Sequence, residues 1–231
     1  IVHGHGSQLM TTAYIPWIIW SLIKVRNTPN LINYIIFAIL AGFQLQRSHV
    51  QVAYYTWMMV GLYICFEVYF EYKNKIRSFN FLKYVMSGLF TGILLSLSIY
   101  LPALNYTNFS TRGSSGGGVG LEYATQWSFS LSETMTFFIP SFYGFGGATY
   151  WGNMPFTDYP NYVGIIVLIL SIIGMLKYKN NFKLFLLMSL ILALLISFGK
   201  NFNVVYNFFY SYIPLFNKFR VPVMILIIFQ F

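Results

Sequence analysis

Long apolar runs separated by short basic clusters constrain this chain more than any other feature. The runs fall at roughly 9 to 23, 31 to 45, 50 to 70, 84 to 104, 161 to 176, 184 to 199 and 221 onward. Each approaches the ~20 residues that a helix needs to cross about 30 Å of hydrocarbon. Charged residues make up 8% of the 231 and hydrophobic ones 57%, whereas soluble domains carry about 25% charged residues. The pattern predicts an all-α, polytopic transmembrane helical bundle with about seven spans. The second run, LINYIIFAILAGFQL, is short enough to be re-entrant or tilted. Backbone in lipid must satisfy its own polar groups, and the runs lack the ten-residue alternation of a membrane barrel, so helices are expected.

The formal net charge of +9 would point to nucleic acid in a soluble chain. Here the basic residues sit at the ends of apolar runs, which is a topology signal and not a nucleic-acid groove. Lys24 and Arg26 follow the first run, Lys73, Lys75, Arg77 and Lys83 lie between the third and fourth, and Lys177, Lys179 and Lys183 between the fifth and sixth. These loops are expected to be cytoplasmic. The turn around Arg47 and His49, the stretch from Thr107 to Tyr162 and the segment from Lys200 to Arg220 are then expected to face outward. Glu67 lies in an apolar run but near its cytoplasmic end, where reaching the interface is cheaper than serving a proton relay. The lone Cys65 provides neither a disulfide framework nor a metal site. His3 and His5, two residues apart, share no helix face and have no third ligand, so no metal ligand set is recognisable. The chain opens on Ile1 and stops within the apolar run VPVMILIIFQF, and is expected to be a piece of a longer protein.

One integral membrane domain over residues 1–231 is expected, with an extracytoplasmic loop or cap over 105–160. That cap is where chemistry is sought first. Long polar segments inside compact proteins are usually functional, and this one holds Glu122, Glu133 and Asp158, three of only five acidic residues. Ser130, followed three residues later by Glu133, is a helix-start capping box. The alternative is a carboxylate presented to a cavity for acid–base or ligand-binding use. The run from Pro140 to Gly152 interleaves glycines with Tyr143, Tyr150 and Trp151. Such loops suit flat ring-shaped ligands such as sugars, and equally an interfacial aromatic belt. The stretch Gly113 to Gly118 lacks the spacing of a phosphate-binding P-loop and reads as a linker. Arg47, His49 and Gln51 on one loop, and Lys218 and Arg220 on another, fall at the same predicted face. An Arg fork matches phosphate oxygens and Lys adds a point charge; lipid-headgroup snorkelling is the alternative for both.

Read in order, several segments resemble the YfhO family of bacterial integral membrane proteins, grouped with the multispanning GT-C glycosyltransferases. They are Gly4-His5-Gly6 through Pro16-Trp17, His49-Val50-Gln51-Val52-Ala53-Tyr54-Tyr55, Ser110-Thr111-Arg112-Gly113, and Tyr123-Ala124-Thr125-Gln126-Trp127-Ser128. Glu133, Ile139-Pro140, Gly146-Gly147, Tyr150-Trp151-Gly152, Pro160-Asn161-Tyr162-Val163-Gly164 and Phe219-Arg220-Val221-Pro222 continue the series. The resemblance implies transfer of a sugar from a polyprenyl-phosphate carrier to a cell-envelope polymer or glycolipid, on the outer face of the bacterial cytoplasmic membrane. It implies a catalytic carboxylate in a first outward loop upstream of this chain. Glu133, Asp158, Trp127, Tyr150, Trp151, His49 and Gln51 are then substrate-binding candidates, and Arg220, Lys218 and Arg112 phosphate-binding ones. Some related folds use a divalent metal, which the residues here leave open. The alternatives are a transporter or flippase of lipid-linked saccharides and a non-catalytic envelope-assembly protein.

Overall fold

Six of the seven apolar runs become α-helices. In the computed structural model, which describes residues 6–74, 79–107, 120–157, 161–178 and 181–231, these are α1 (Gly6–Asn27), α2 (Leu31–Gln46), α3 (Val50–Lys73), α4 (Phe79–Thr107), α6 (Ile165–Lys177) and α7 (Asn181–Ser197). Two shorter helices, α5 (Leu121–Ala124) and α8 (Asn203–Tyr212), and several 3₁₀ turns complete the set. No strand occurs among the described residues. Among the described residues one helix, over Asn80–Ala103, is long and apolar enough by itself to cross a membrane. The pair Asn181–Ser197 and Gly199–Tyr212 also qualifies when taken together, although it is bent by 108°. The helices α2 and α6 are apolar but shorter.

The seventh run departs from the expected span. Residues Pro222–Ile227 form a 3₁₀ turn, with Pro222, Ile225 and Leu226 buried. It packs against α7. Val221, just before it, adopts a left-handed conformation at φ 63°, which the sterics of a β-branched side chain disfavour.

The chain divides into two compact units, Ile1–Ser114 together with Phe231, and Ser115–Gln230. The first unit is built on α1 to α4, with α2 packed most extensively on α4. Glycine makes that approach possible. A Cβ on Gly92 would sit 3.1 Å from both Ala41 Cβ and Gly42 N, and one on Gly88 would sit 2.6 Å from the Phe37 ring. Gly88 and Gly92 thus form a small-xxx-small face of the kind that lets membrane helices pack backbone to backbone. Polar side chains tie the same pair, Tyr34 Oη to Thr91 Oγ1 at 2.7 Å and Gln46 Nε2 to the Leu95 carbonyl at 2.8 Å. At the far ends of α1 and α3, Arg26 pairs with Glu67 at 2.8 Å and Glu71 at 3.2 Å. Glu67 therefore has a protein partner, and Arg26 is neutralised locally.

In the second unit, α7 ends where Gly199 takes a positive φ of 45°, the usual way for a helix to stop on a residue without a Cβ. Phe129, Phe137, Met154 and Leu226 form a buried cluster there. Three residues of the segment expected as a hydrophilic cap thus share a core with Leu226 of the seventh run.

Candidate functional site

The site is assembled by a chain that is pinned twice. Phe129 N–H donates to the Ser197 carbonyl at 2.9 Å, and Asn201 Nδ2 donates to the Phe129 carbonyl at 2.8 Å. These bonds fix the start of the next segment to the end of α7. A 3₁₀ helix, Ser132–Phe137, follows at once. Its entry is a reciprocal capping box: Ser130 N–H donates to Glu133 Oε2 at 2.8 Å while Glu133 N–H donates to Ser130 Oγ at 3.3 Å. The Ser130 hydroxyl adds a third bond to Oε2 at 2.8 Å. The helix is 3₁₀ and not α, but the cap satisfies its orphan amides in the same way.

The loop that follows turns back on itself. Gly144 has φ +85°, and a Cβ there would collide with the Thr149 carbonyl, so this position requires glycine. Trp151 N–H donates to the Tyr143 carbonyl at 3.2 Å, closing the loop and delivering Tyr150 to Glu133. The Tyr150 hydroxyl donates to Glu133 Oε1 in a short bond and accepts the Met154 N–H at 2.9 Å. Burial, then the bond to Glu133, push the Tyr150 phenol above its ordinary value of 10.0. Tyr150 is held as a neutral donor.

Glu133 is only 1% exposed. Among the described residues no cation pairs with it, since the ion pairs there join Arg26 to Glu67 and Glu71. Three bonds reach its two oxygens, all of them donated by neutral groups. Oε2 serves the helix start, Oε1 takes the Tyr150 hydroxyl, and Glu133 is also among the residues that line a cleft. That cleft is lined by Phe129, Thr136, Tyr143, Tyr150, Thr157 and Asn161, among others, and has room for about one water molecule. Tyr143, which lines the cleft, also meets the exposed Trp151, with ring centroids 4.4 Å apart and planes tilted by 43°.

The other candidates distribute as follows. Trp127 does not line the cleft; its indole N–H donates to the Phe156 carbonyl at 3.2 Å and its ring packs edge-on against Phe156. Arg220 lies instead on Tyr123, with its guanidinium over the ring at 5.5 Å and a short bond to the phenol oxygen. Lys218 is exposed. In the first unit, His49 caps α3 by accepting Val52 N–H at Nδ1, 3.4 Å away, and Gln51 donates to Tyr55 Oη at 2.9 Å. Asp158, Arg112 and the stretch Gly113 to Gly118 lie outside the described residues. Among the described residues no group of three or more His, Cys, Asp or Glu is placed to hold a metal.

Sequence reasoning singled out Glu133 and Tyr150 separately but not their bond. It did not assign Thr136, Thr157 or Asn161 to the site: Asn161 entered only within the Pro160 to Gly164 segment, and Thr136 and Thr157 carry no sequence signal beyond proximity to the Gly- and aromatic-rich run. No family model, curated protein or solved structure matches the chain.

Proposed function

We infer that the protein is a multi-pass membrane glycosyltransferase of GT-C-like architecture. It moves a sugar from a polyprenyl-phosphate carrier to a cell-envelope acceptor on the outer face of a bacterial cytoplasmic membrane. The observation that carries this reading is Glu133, a buried carboxylate bonded to Tyr150 and lining a cleft together with Tyr143. A carboxylate–tyrosine pair reads a sugar hydroxyl by accepting its proton while the ring lies across Tyr143 and Trp151. Glu133 is a binding and positioning group here. The base that removes the acceptor proton is expected in a first outward loop, as the resemblance to the YfhO family implies. Departure of the lipid phosphate from the anomeric carbon is eased by cations, for which Arg220 and Lys218 are the candidates. The Tyr123 ring and its hydroxyl oxygen both engage the Arg220 guanidinium.

The test follows radiolabel from polyprenyl-phosphate sugars into envelope acceptors, using the full protein in nanodiscs. Glu133→Gln is expected to raise the donor or acceptor KM, and Arg220→Ala to lower the transfer rate. Transfer that is unchanged in both variants would overturn the site. A second reading, a transporter or flippase of lipid-linked saccharide, is favoured by one feature, the helix broken by 108° at Phe198–Gly199, since broken helices mark transporter binding sites. Label that crosses a sealed membrane without ever reaching acceptor selects it.

A further inference from the structure

The ten-residue helix α8 presents three different faces. Tyr206 is buried and, with Phe209, packs on Phe216 at ring distances of 5.4 and 5.5 Å. Val204, Phe208 and Tyr212, four residues apart, form a second stripe that is 68%, 54% and 74% exposed. Asn203, Asn207 and Ser211, again four apart, form a third and polar stripe beside it. Successive positions four apart lie on one helix face. The helix carries no charge of its own, but exposed Lys200 precedes it and exposed Lys218 follows it.

Its placement on α7 says what covers the apolar stripe. The seventeen residues of α7 span about 25 Å as a helix, close to the thickness of a bilayer's hydrocarbon core. The break at Gly199 therefore falls near a hydrocarbon boundary. The 108° turn there sends α8 almost at right angles to α7, so with α7 crossing the bilayer α8 lies along its surface.

We propose that α8 is an interfacial helix, seated in the headgroup–acyl boundary of the bilayer that α7 enters. Val204, Phe208 and Tyr212 dip into lipid, while Asn203, Asn207 and Ser211 face headgroups and water. Lys200 and Lys218 contact lipid phosphates, the charge that complements them. Tyr206 and Phe209 hold the helix to the protein. The proposal rests on the membrane reading of α7 and not on glycosyl transfer.

Spin labels on single cysteines test it, in the full protein with Cys65→Ser, reconstituted in nanodiscs with anionic lipid. Labels are placed in turn at Val204, Phe208, Tyr212, Asn207 and Ser211. The first three are expected to be more accessible to oxygen than to a water-soluble nickel chelate, at a depth of about 5–10 Å below the phosphates. The last two should show the reverse preference. Chelate access at all five positions would overturn the proposal, because α8 would then lie in water. Depth near the bilayer centre would make α8 part of a crossing segment, and low access to both reagents with spin–spin broadening would make the stripe a contact between two copies; either result also overturns it. Reaction of the same cysteines with a membrane-impermeant maleimide gives an independent reading, with Asn207→Cys reacting faster than Phe208→Cys, so one variant that fails to fold does not end the test. Because transfer activity is a separate assay, loss of this proposal and loss of the transferase reading are distinguishable.

Discussion

Glu133 is satisfied by its neighbours, and each partner can be removed separately. Tyr150→Phe deletes the donor to Oε1 and leaves a buried carboxylate oxygen unpaired, at a cost of about 1–3 kcal/mol. Thermal unfolding in detergent should register that loss, and an unchanged midpoint would mean water replaces the phenol. The same pair has a pH signature. The folded phenol holds its proton above 10.0, where the unfolded one releases it. Its contribution is therefore complete below about pH 10 and is lost as pH rises through the folded value. The stability gap between wild type and Tyr150→Phe is accordingly expected to narrow above pH ~10 and to stay constant from neutral pH to that point. The capping box was legible in the sequence because its two residues are three apart. The bond from Tyr150 joins residues 17 apart across a turn that needs Gly144 at positive φ, and no local pattern announces it.

At the scale of elements, α2 and α4 meet through glycines. Gly92→Leu forces a side chain where Ala41 and Gly42 already stand 3.1 Å from a bare Cβ, and overpacking of this kind costs about 1–3 kcal/mol. Gly174→Leu on the exposed α6, where no atom lies within 4 Å of the Cβ position, is the control and should leave the melting midpoint nearly unchanged. Equal losses in both variants would mean that the small-xxx-small face is not what holds the pair. The ion pairs of Arg26 join α1 and α3 in a similar way. Read as a topology signal, Arg26 is one more cytoplasmic charge; in the fold it also compensates Glu67 and Glu71, which stand four apart on one face and would otherwise repel.

For the whole molecule, the testable statement is topology. Reporter fusions after Lys24, after Lys73 and after Lys177 are expected on the cytoplasmic side, and fusions near Arg47 and in the stretch before Ile165 on the outer side. A fusion after Gln46 that reports cytoplasm would make α2 re-entrant and remove one crossing. The sequence by itself marked where six of the helices lie, because a long apolar run without strand-like alternation favours backbone bonds between residues four apart, and that information is local. It also marked the run from Pro140 to Gly152 and Glu133 as the place to look. The tertiary structure alone decided that Tyr150 serves Glu133, that Arg220 lies on Tyr123 97 residues away, and that Thr136 and Thr157 line a cleft with Glu133. It also turned the run from 221 onward into a 3₁₀ turn buried against α7. Hydropathy cannot distinguish burial in lipid from burial against protein, because both remove the same apolar surface from water; which one occurs depends on partners that only the folded chain brings together.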